Sequence, residues 1–283
     1  MAPREGAETP GRQGLDPLVW LIPLVFASLA AIIVSAVLRR DAAARSAQAA
    51  TASAATTAQV VAAVTTVPAG AWNAVAAASA IPPILIPVAQ RSANAPTVLY
   101  IGAEWCPFCA AERWPLAAAL ARFGTLSGLT LTTSSSTDQY PNTPTLSFAE
   151  SLFSGPGIDV QTVEVQDRER RPLQSLTAAQ STLLQRYDAP PYVPAKDRGG
   201  IPFLLIGGRY LWPGSQFSPQ ALRGLDWTEV SSGLASAQTQ LSRVILANGN
   251  EIAAAICAVD GGSPAAVCGS SGVRAAAALL PAS

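Results

Sequence analysis

Residues Pro96 to Gly124 read PTVLYIGAEWCPFCAAERWPLAAALARFG, and a change of pattern inside this stretch decides the fold class. PTVLYIGAEW opens with an apolar run suited to a buried strand, whereas CPFCAAERWPLAAALARFG is helical in character and stops at Gly124. LSGLTLTTSSS then reads as a second strand, so strand, helix and strand together begin a parallel α/β sheet. Cys106-Pro107-Phe108-Cys109 stands where the first strand ends and the helix opens. A cysteine at that point meets unsatisfied backbone N–H groups and the positive end of the helix dipole, which favours its thiolate. Such a thiolate attacks a disulfide, and a second cysteine one turn deeper resolves the mixed disulfide. Cys106 is therefore read as a nucleophile and Cys109 as a resolving thiol; a structural disulfide and half of a metal site are the alternatives.

Working outward, TLSFAESLF and IDVQTVEVQDR look like strands, the second alternating apolar and polar residues from Ile158 to Val165. A helix is predicted from Thr177 to Tyr187 with Thr177 as N-cap, and PPYVPAKDRGG is a loop by its proline and glycine content. IPFLLIG and RYLW form a strand pair joined at Gly207 and Gly208. Ser218 to Ala258 reads as mostly helical, interrupted at Asn248-Gly249-Asn250, and ends in a Gly/Pro-rich loop. On the first helix Trp114 and Phe123 are expected in the core. Arg113 is read as a solvated surface arginine, with electrostatic support of the thiolate as its alternative, and the Asp167 to Arg171 cluster as a solvated mixed-charge turn. Phe108 and Trp105, apolar and beside the cysteines, suit contact with unfolded polypeptide.

Upstream, Leu18 to Leu38 runs for 21 residues without a charge. As a helix this spans about 31 Å, close to the hydrocarbon core of a bilayer. It is expected to be a single transmembrane helix, with a cleaved signal peptide and a buried core helix as the alternatives. Residues 1–17 form a tail, 39–66 an Ala/Thr/Ser-rich linker, and 67–95 an extended segment, broken by Pro68, Pro82, Pro83 and Pro87, that packs on the domain. Arg4 and Arg12 with the terminal amine balance Arg39, Arg40 and Arg45, so the flanking charges leave the orientation open.

Composition narrows the chemistry. Eighteen basic and eighteen acidic residues build no broad positive field for nucleic acid. With no histidine among 283 residues, Ser-His-Asp and Cys-His catalysis, imidazole-ligated zinc and His-ligated haem are all excluded. No cofactor and no metal are expected. Cys257 and Cys268 are separated by a loop containing Gly261, Gly262 and Pro264. They are read as a structural disulfide, or as a relay passing electrons between the CxxC and an outside, membrane-bound redox partner. Either reading, with an even cysteine count, favours an oxidising compartment outside the cytoplasmic membrane.

The residues around the CxxC resemble the thioredoxin superfamily. Ala103-Glu104-Trp105-Cys106 matches the AEWC run of thioredoxins, the CPFC motif is similar to glutaredoxin-type sites, and Gly200-Ile201-Pro202-Phe203 is similar to the family's cis-proline loop. The resemblance implies that Pro202 is cis, faces the CxxC and, with Ile201, Trp105 and Phe108, holds a substrate polypeptide. It covers about Pro96 to Leu234 and implies a thioredoxin-like α/β fold, here extended by a C-terminal helix and Cys-pair loop over residues 235–283. Two departures stand out. Tyr100 occupies the position of the family's buried carboxylate, leaving Glu104 and Glu112 as the nearest acids in sequence, either of which would raise a neighbouring thiol's pKa. The offset of 96 positions between Cys106 and Pro202 implies an insertion, placed at Asp138 to Arg198. A closer resemblance, carried by YIGAEWCPFCAAERWPLAAALARFG, by AAAICAVDGGSPAAVC and by the placement of the anchor, is to the domain-of-unknown-function family 929, whose members resemble membrane-anchored thioredoxin-like proteins.

The expectation is a membrane-tethered thiol–disulfide oxidoreductase exchanging disulfides with extracytoplasmic proteins. A non-catalytic thioredoxin-fold binding module with structural disulfides, and a thiol-ligated metal carrier, are the alternatives.

Overall fold

The computed structural model describes residues 39–40, 51, 53–75, 81–92 and 96–282. The chain divides into two units, residues 1–55 and 56–283. In the first, residues 39–40, 51 and 53–55 are helical, and the predicted span Leu18–Leu38 lies outside the described residues. Among the described residues no helix is long and apolar enough to cross a membrane.

The second unit is built on a five-stranded sheet. One of its inner strands is β2 (Val98–Gly102), buried at every residue, as the apolar run VLYIG requires of a strand covered on both faces. β2 is joined in parallel to β7 (Val160–Glu164), with Gly102 opposite Glu164, and antiparallel to β8 (Phe203–Ile206). β8 turns at Gly207 and Gly208 into β9 (Tyr210–Pro213), and β1 (Ile84–Leu85) closes the edge, giving the order β1-β9-β8-β2-β7. Alternate side chains of a strand point to opposite faces. Val98, Tyr100, Leu204, Ile206 and Trp212 accordingly belong to one core and Leu99, Ile101, Phe203, Leu205 and Leu211 to the other.

The first core is covered by α3 (Pro107–Leu120) and α6 (Gln240–Val259), which pack on each other. The second is covered by α4 (Ala178–Tyr187) through Leu183 and Tyr187. α4 starts where the sequence predicts. Thr177 caps it, accepting from the Gln180 N–H while the Gln180 side chain accepts from the Thr177 N–H.

Several expectations change. LSGLTLTTSSS is not the parallel neighbour of β2. It splits into β3 (Thr125–Ser127) and β4 (Thr130–Thr133) at Gly128, whose φ of +73° and close approach to the Glu150 carbonyl leave no room for a side chain. β3 pairs with β6 (Leu152–Ser154) and β4 with β5 (Pro144–Ser147), both antiparallel and both outside the main sheet. TLSFAESLF is thus two strands rather than one. Asp138–Arg198 is not a detachable insertion, because it supplies β7 and α4 to the core architecture. Asn248-Gly249-Asn250 does not break α6, which runs unbroken from Gln240 to Val259. Gly249 is a notch instead: a Cβ there would meet the Trp72 ring at 2.8 Å, and the Asn250 amide donates to the Trp72 carbonyl at 3.0 Å.

Trp72 lies on α2 (Ala69–Asn73) and is 3% exposed, so residues 67–95 contribute a helix, a buried anchor and the edge strand rather than a uniformly extended segment. The linker is also shorter than the composition suggests. Helix α1 covers residues 56–65, and its Val60 and Val64 are fully buried in the first core.

At the C-terminal end α5 (Trp227–Ser232) precedes α6, and α7 (Ala265–Cys268) and α8 (Ser271–Ala277) follow it. Cys257 and Cys268 are joined as a disulfide, with Cα atoms 5.7 Å apart. Closing so short a loop contributes about 3 kcal/mol by restricting the unfolded chain.

Candidate active site

β2 delivers the chain to a tight turn, Ala103 to Cys106, in which the Cys106 N–H donates to the Ala103 carbonyl at 3.2 Å. Pro107 occupies the first position of α3, where its missing N–H costs nothing. Cys106 is consequently the N-cap, and its sulfur does what a serine or aspartate oxygen does at other helices: it accepts the Cys109 N–H, at 3.2 Å. Both cysteines are free thiols, Cys106 3% exposed and Cys109 fully buried.

The two titrate in opposite directions. Hydrogen bonding from the Cys109 thiol, with the backbone N–H groups and the charge of Arg113, pulls Cys106 below the ordinary thiol range against the effect of burial. Burial pushes Cys109 well above it, and the nearby Cys106 and Glu164 add to the rise. One thiol is prepared to be a thiolate and the other to keep its proton.

Across from them, the Ile201 carbonyl lies 3.6 Å from Cys106 Sγ and accepts its S–H. The Ile201–Pro202 bond is cis, and Pro202 is buried. Trp105 and Phe108 flank the motif. The Trp105 indole donates to the Gln166 side chain at 2.9 Å, with the Arg170 guanidinium 3.6 Å over its ring. Phe108, 38% exposed, meets the Tyr140 ring edge-on. The sequence-predicted residues Cys106, Cys109, Trp105, Phe108, Ile201 and Pro202 therefore lie around one end of α3. The turn from Asp167 to Arg171 is solvated as expected, held by an exposed Arg171–Asp167 pair, but its Arg170 also covers Trp105.

Arg113 overturns its expectation. It is fully buried, not solvated, and it holds Glu164 through two bonds of 2.7 Å while its Nη2 donates to the Ala103 carbonyl at 2.7 Å. The same carbonyl receives the Cys106 N–H, so the ion pair clamps the turn that carries the nucleophile. Arg113 is four residues after Cys109 and shares its helix face, a spacing visible in the sequence. Burial pushes the Glu164 carboxyl up and the guanidinium holds it back. Tyr100 is fully buried, and burial raises its hydroxyl well above the ordinary range. The structure adds Arg113, Glu164, Tyr100, Gln166, Arg170 and Tyr140 to the site.

The family model of a domain of unknown function, DUF929, matches residues 86–258. The chain belongs to the DUF929 family. No curated protein and no solved structure matches it. The matched stretch takes in the sheet from Ile86 onward, the CxxC, the Arg113–Glu164 pair and α6, and it includes Cys257 but not Cys268.

In this DUF929 domain the acids nearest the motif in sequence point elsewhere. Glu104 accepts from the Ser147 hydroxyl. Glu112 faces away from the thiols: its Oε2 accepts the Gln216 N–H at 2.9 Å, the Gln216 amide reaches Glu251, and burial, with the charge of Glu251, lifts the Glu112 carboxyl to about 8. The carboxylate that bears on Cys109 is Glu164. Because the Glu112 carboxyl binds its proton more tightly folded than unfolded, its contribution to stability is complete below about pH 4.5 and is lost as pH rises through about 8. Glu112→Gln should flatten that slope. Thermal melts are expected to show the variant within error of wild type near pH 4.5 and roughly 5–10 °C more stable near pH 8.5; equal midpoints at both pH values would contradict the assignment.

The second cysteine pair stands apart. Arg122, just past the end of α3, bonds Ser270, which is two residues beyond Cys268. α3 is 14 residues long, about 21 Å, so the disulfide and the CxxC sit at opposite ends of the helix, beyond direct exchange.

Proposed function

We propose that this chain is a thiol–disulfide oxidoreductase on a thioredoxin-like scaffold, tethered by Leu18–Leu38 to the membrane and acting on proteins outside the cytoplasm. The observation that carries the reading is the placement of the Cys106 sulfur. It sits at the N-cap of α3, accepts the Cys109 N–H and is 3.6 Å from the carbonyl that precedes a cis-proline. The β7-β2-β8-β9 order supports the scaffold, with a parallel neighbour on one side of β2 and an antiparallel pair on the other. The Cys257–Cys268 disulfide favours an oxidising compartment.

The chemistry balances with the two thiols alone. The Cys106 thiolate attacks one sulfur of a substrate disulfide, forming a mixed disulfide and releasing the other substrate sulfur as a thiolate that takes up a proton. Cys109 then gives up its proton and attacks Cys106 Sγ, closing the Cys106–Cys109 disulfide and releasing the second substrate thiol. The substrate gains two electrons and the pair loses two; run backwards, the same steps oxidise a dithiol.

A second reading, a non-catalytic binding module with a static cysteine pair, draws on the 3% exposure of Cys106. The reduction potential of the Cys106–Cys109 couple separates them. In glutathione redox buffers, with Cys257 and Cys268 followed by mass spectrometry, a value between about −270 and −120 mV is expected for a working oxidoreductase. A couple below about −300 mV would make the disulfide structural and leave the binding module.

A further inference from the structure

The end of α3 away from the thiols opens into a cavity of about 320 Å3, lined by Thr65, Trp72, Asn73, Arg122, Val267 and Ser270 among others. Arg122 is partly withdrawn from water there. Its guanidinium stacks 4.3 Å from the centroid of the Trp72 ring, Nη1 donates to the Asn250 side-chain oxygen at 2.9 Å, and Nη2 donates to the Ser270 hydroxyl at 3.2 Å. A guanidinium carries five N–H donors, so three remain for other partners.

The contrast with Arg113 is direct. Arg113, fully buried, is neutralised by Glu164, whereas the half-buried Arg122 makes no ion pair among the described residues. Its surroundings supply only neutral amide and hydroxyl oxygens, and burial alone lowers its pKa to about 10. A cation partly taken from water without a counter-charge is a ready partner for an anion. Asn73 faces the same cavity. Its side-chain oxygen accepts the Gly272 N–H, which leaves its NH2 group as a further donor.

We propose that this cavity is a phosphate-binding site, with Arg122 supplying the charge and a forked pair of donors and Asn73 a further donor. The guanidinium plane matches the oxygens of a phosphate. The cavity is large for the bare ion and lies at the lower end of the range for small organic ligands, so the occupant is a phosphate carried on a small organic group. That group has two sources: a soluble phosphomonoester, or the headgroup of a phospholipid, since Thr65 on the cavity wall is only 65 − 38 = 27 residues after the end of the expected membrane span.

The test uses the full chain in maltoside micelles and phosphate-free buffer. One calorimetric arm titrates inorganic phosphate and glycerol 3-phosphate. The other titrates mixed micelles containing phosphatidylglycerol. Saturable heat is expected in one arm, weakened at least tenfold by Arg122→Gln and unchanged by Arg223→Gln on the exposed surface; the arm that responds identifies the source. Should Arg122→Gln fail to fold, Asn73→Ala, at an exposed position, is expected to weaken the same binding. No saturable heat in either arm, or binding that survives the substitutions, would overturn the proposal.

Discussion

Cys106→Ser is expected to reduce dithiol–disulfide exchange to the rate of the uncatalysed reaction, while Cys109→Ser keeps the first chemical step and accumulates mixed disulfide. The asymmetry follows from what holds each sulfur. Cys106 is the N-cap acceptor of α3 and has its pKa lowered, so in the proposed reaction it supplies the attacking thiolate; Cys109 is sealed beneath it with its pKa raised and is there assigned the second step, after a mixed disulfide has formed. A serine oxygen at 106 still accepts the Cys109 N–H, so the helix start and the fold survive the change. Incubation of each variant with a disulfide-bonded protein substrate, followed by acid quench and non-reducing electrophoresis, reads the outcome. A Cys106→Ser protein as active as wild type would remove the nucleophile from the proposed site.

The second large effect belongs to Arg113. Arg113→Leu leaves Glu164 as an uncompensated carboxylate in a fully buried position and releases the Ala103 carbonyl, so the expected loss is about 3–5 kcal/mol of folding stability. Cys106 should titrate at higher pH as well, since the guanidinium is one of the groups that hold it down. Urea denaturation reads the first effect, and the pH dependence of iodoacetamide alkylation at Cys106 reads the second. Arg113→Leu combined with Glu164→Leu is expected to recover most of the stability and none of the alkylation shift, because removing both charges ends the burial cost but restores no positive charge. If the single and double variants alkylate like wild type, Arg113 has only a structural part.

Much of the site could be read from the chain because it is local. The CxxC, the strand before it and the helix after it are contiguous, and the Ile201–Pro202 bond is cis, as the resemblance implies. What escaped reading depends on contacts distant in sequence. Arg113 reads as a surface residue until β7 is known to lie parallel to β2, and only the Gly102–Glu164 register brings its partner within reach. Glu112 is the mirror case: near the motif in sequence, it is carried by the helical turn to the opposite side, against Gln216. The tertiary role of Val60 and Val64 was hidden by an alanine-rich context whose average volume is too small to suggest a core. Asn248-Gly249-Asn250 has poor helix propensity, yet close packing of α6 against Trp72 requires the glycine and gives Asn250 its partners.

That last stretch also bears on how the molecule ages. In an Asn-Gly pair the side-chain amide carbon is open to attack by the following backbone nitrogen, which forms a cyclic imide and then an aspartate or isoaspartate. Within α6 the Gly249 nitrogen is tied into the helix ladder and Asn248 is 1% exposed, so the ring cannot close while the helix stands. Deamidation at Asn248 is then a permanent measure of the total time α6 has spent open, written into the covalent structure and legible by peptide mass long after the protein has refolded.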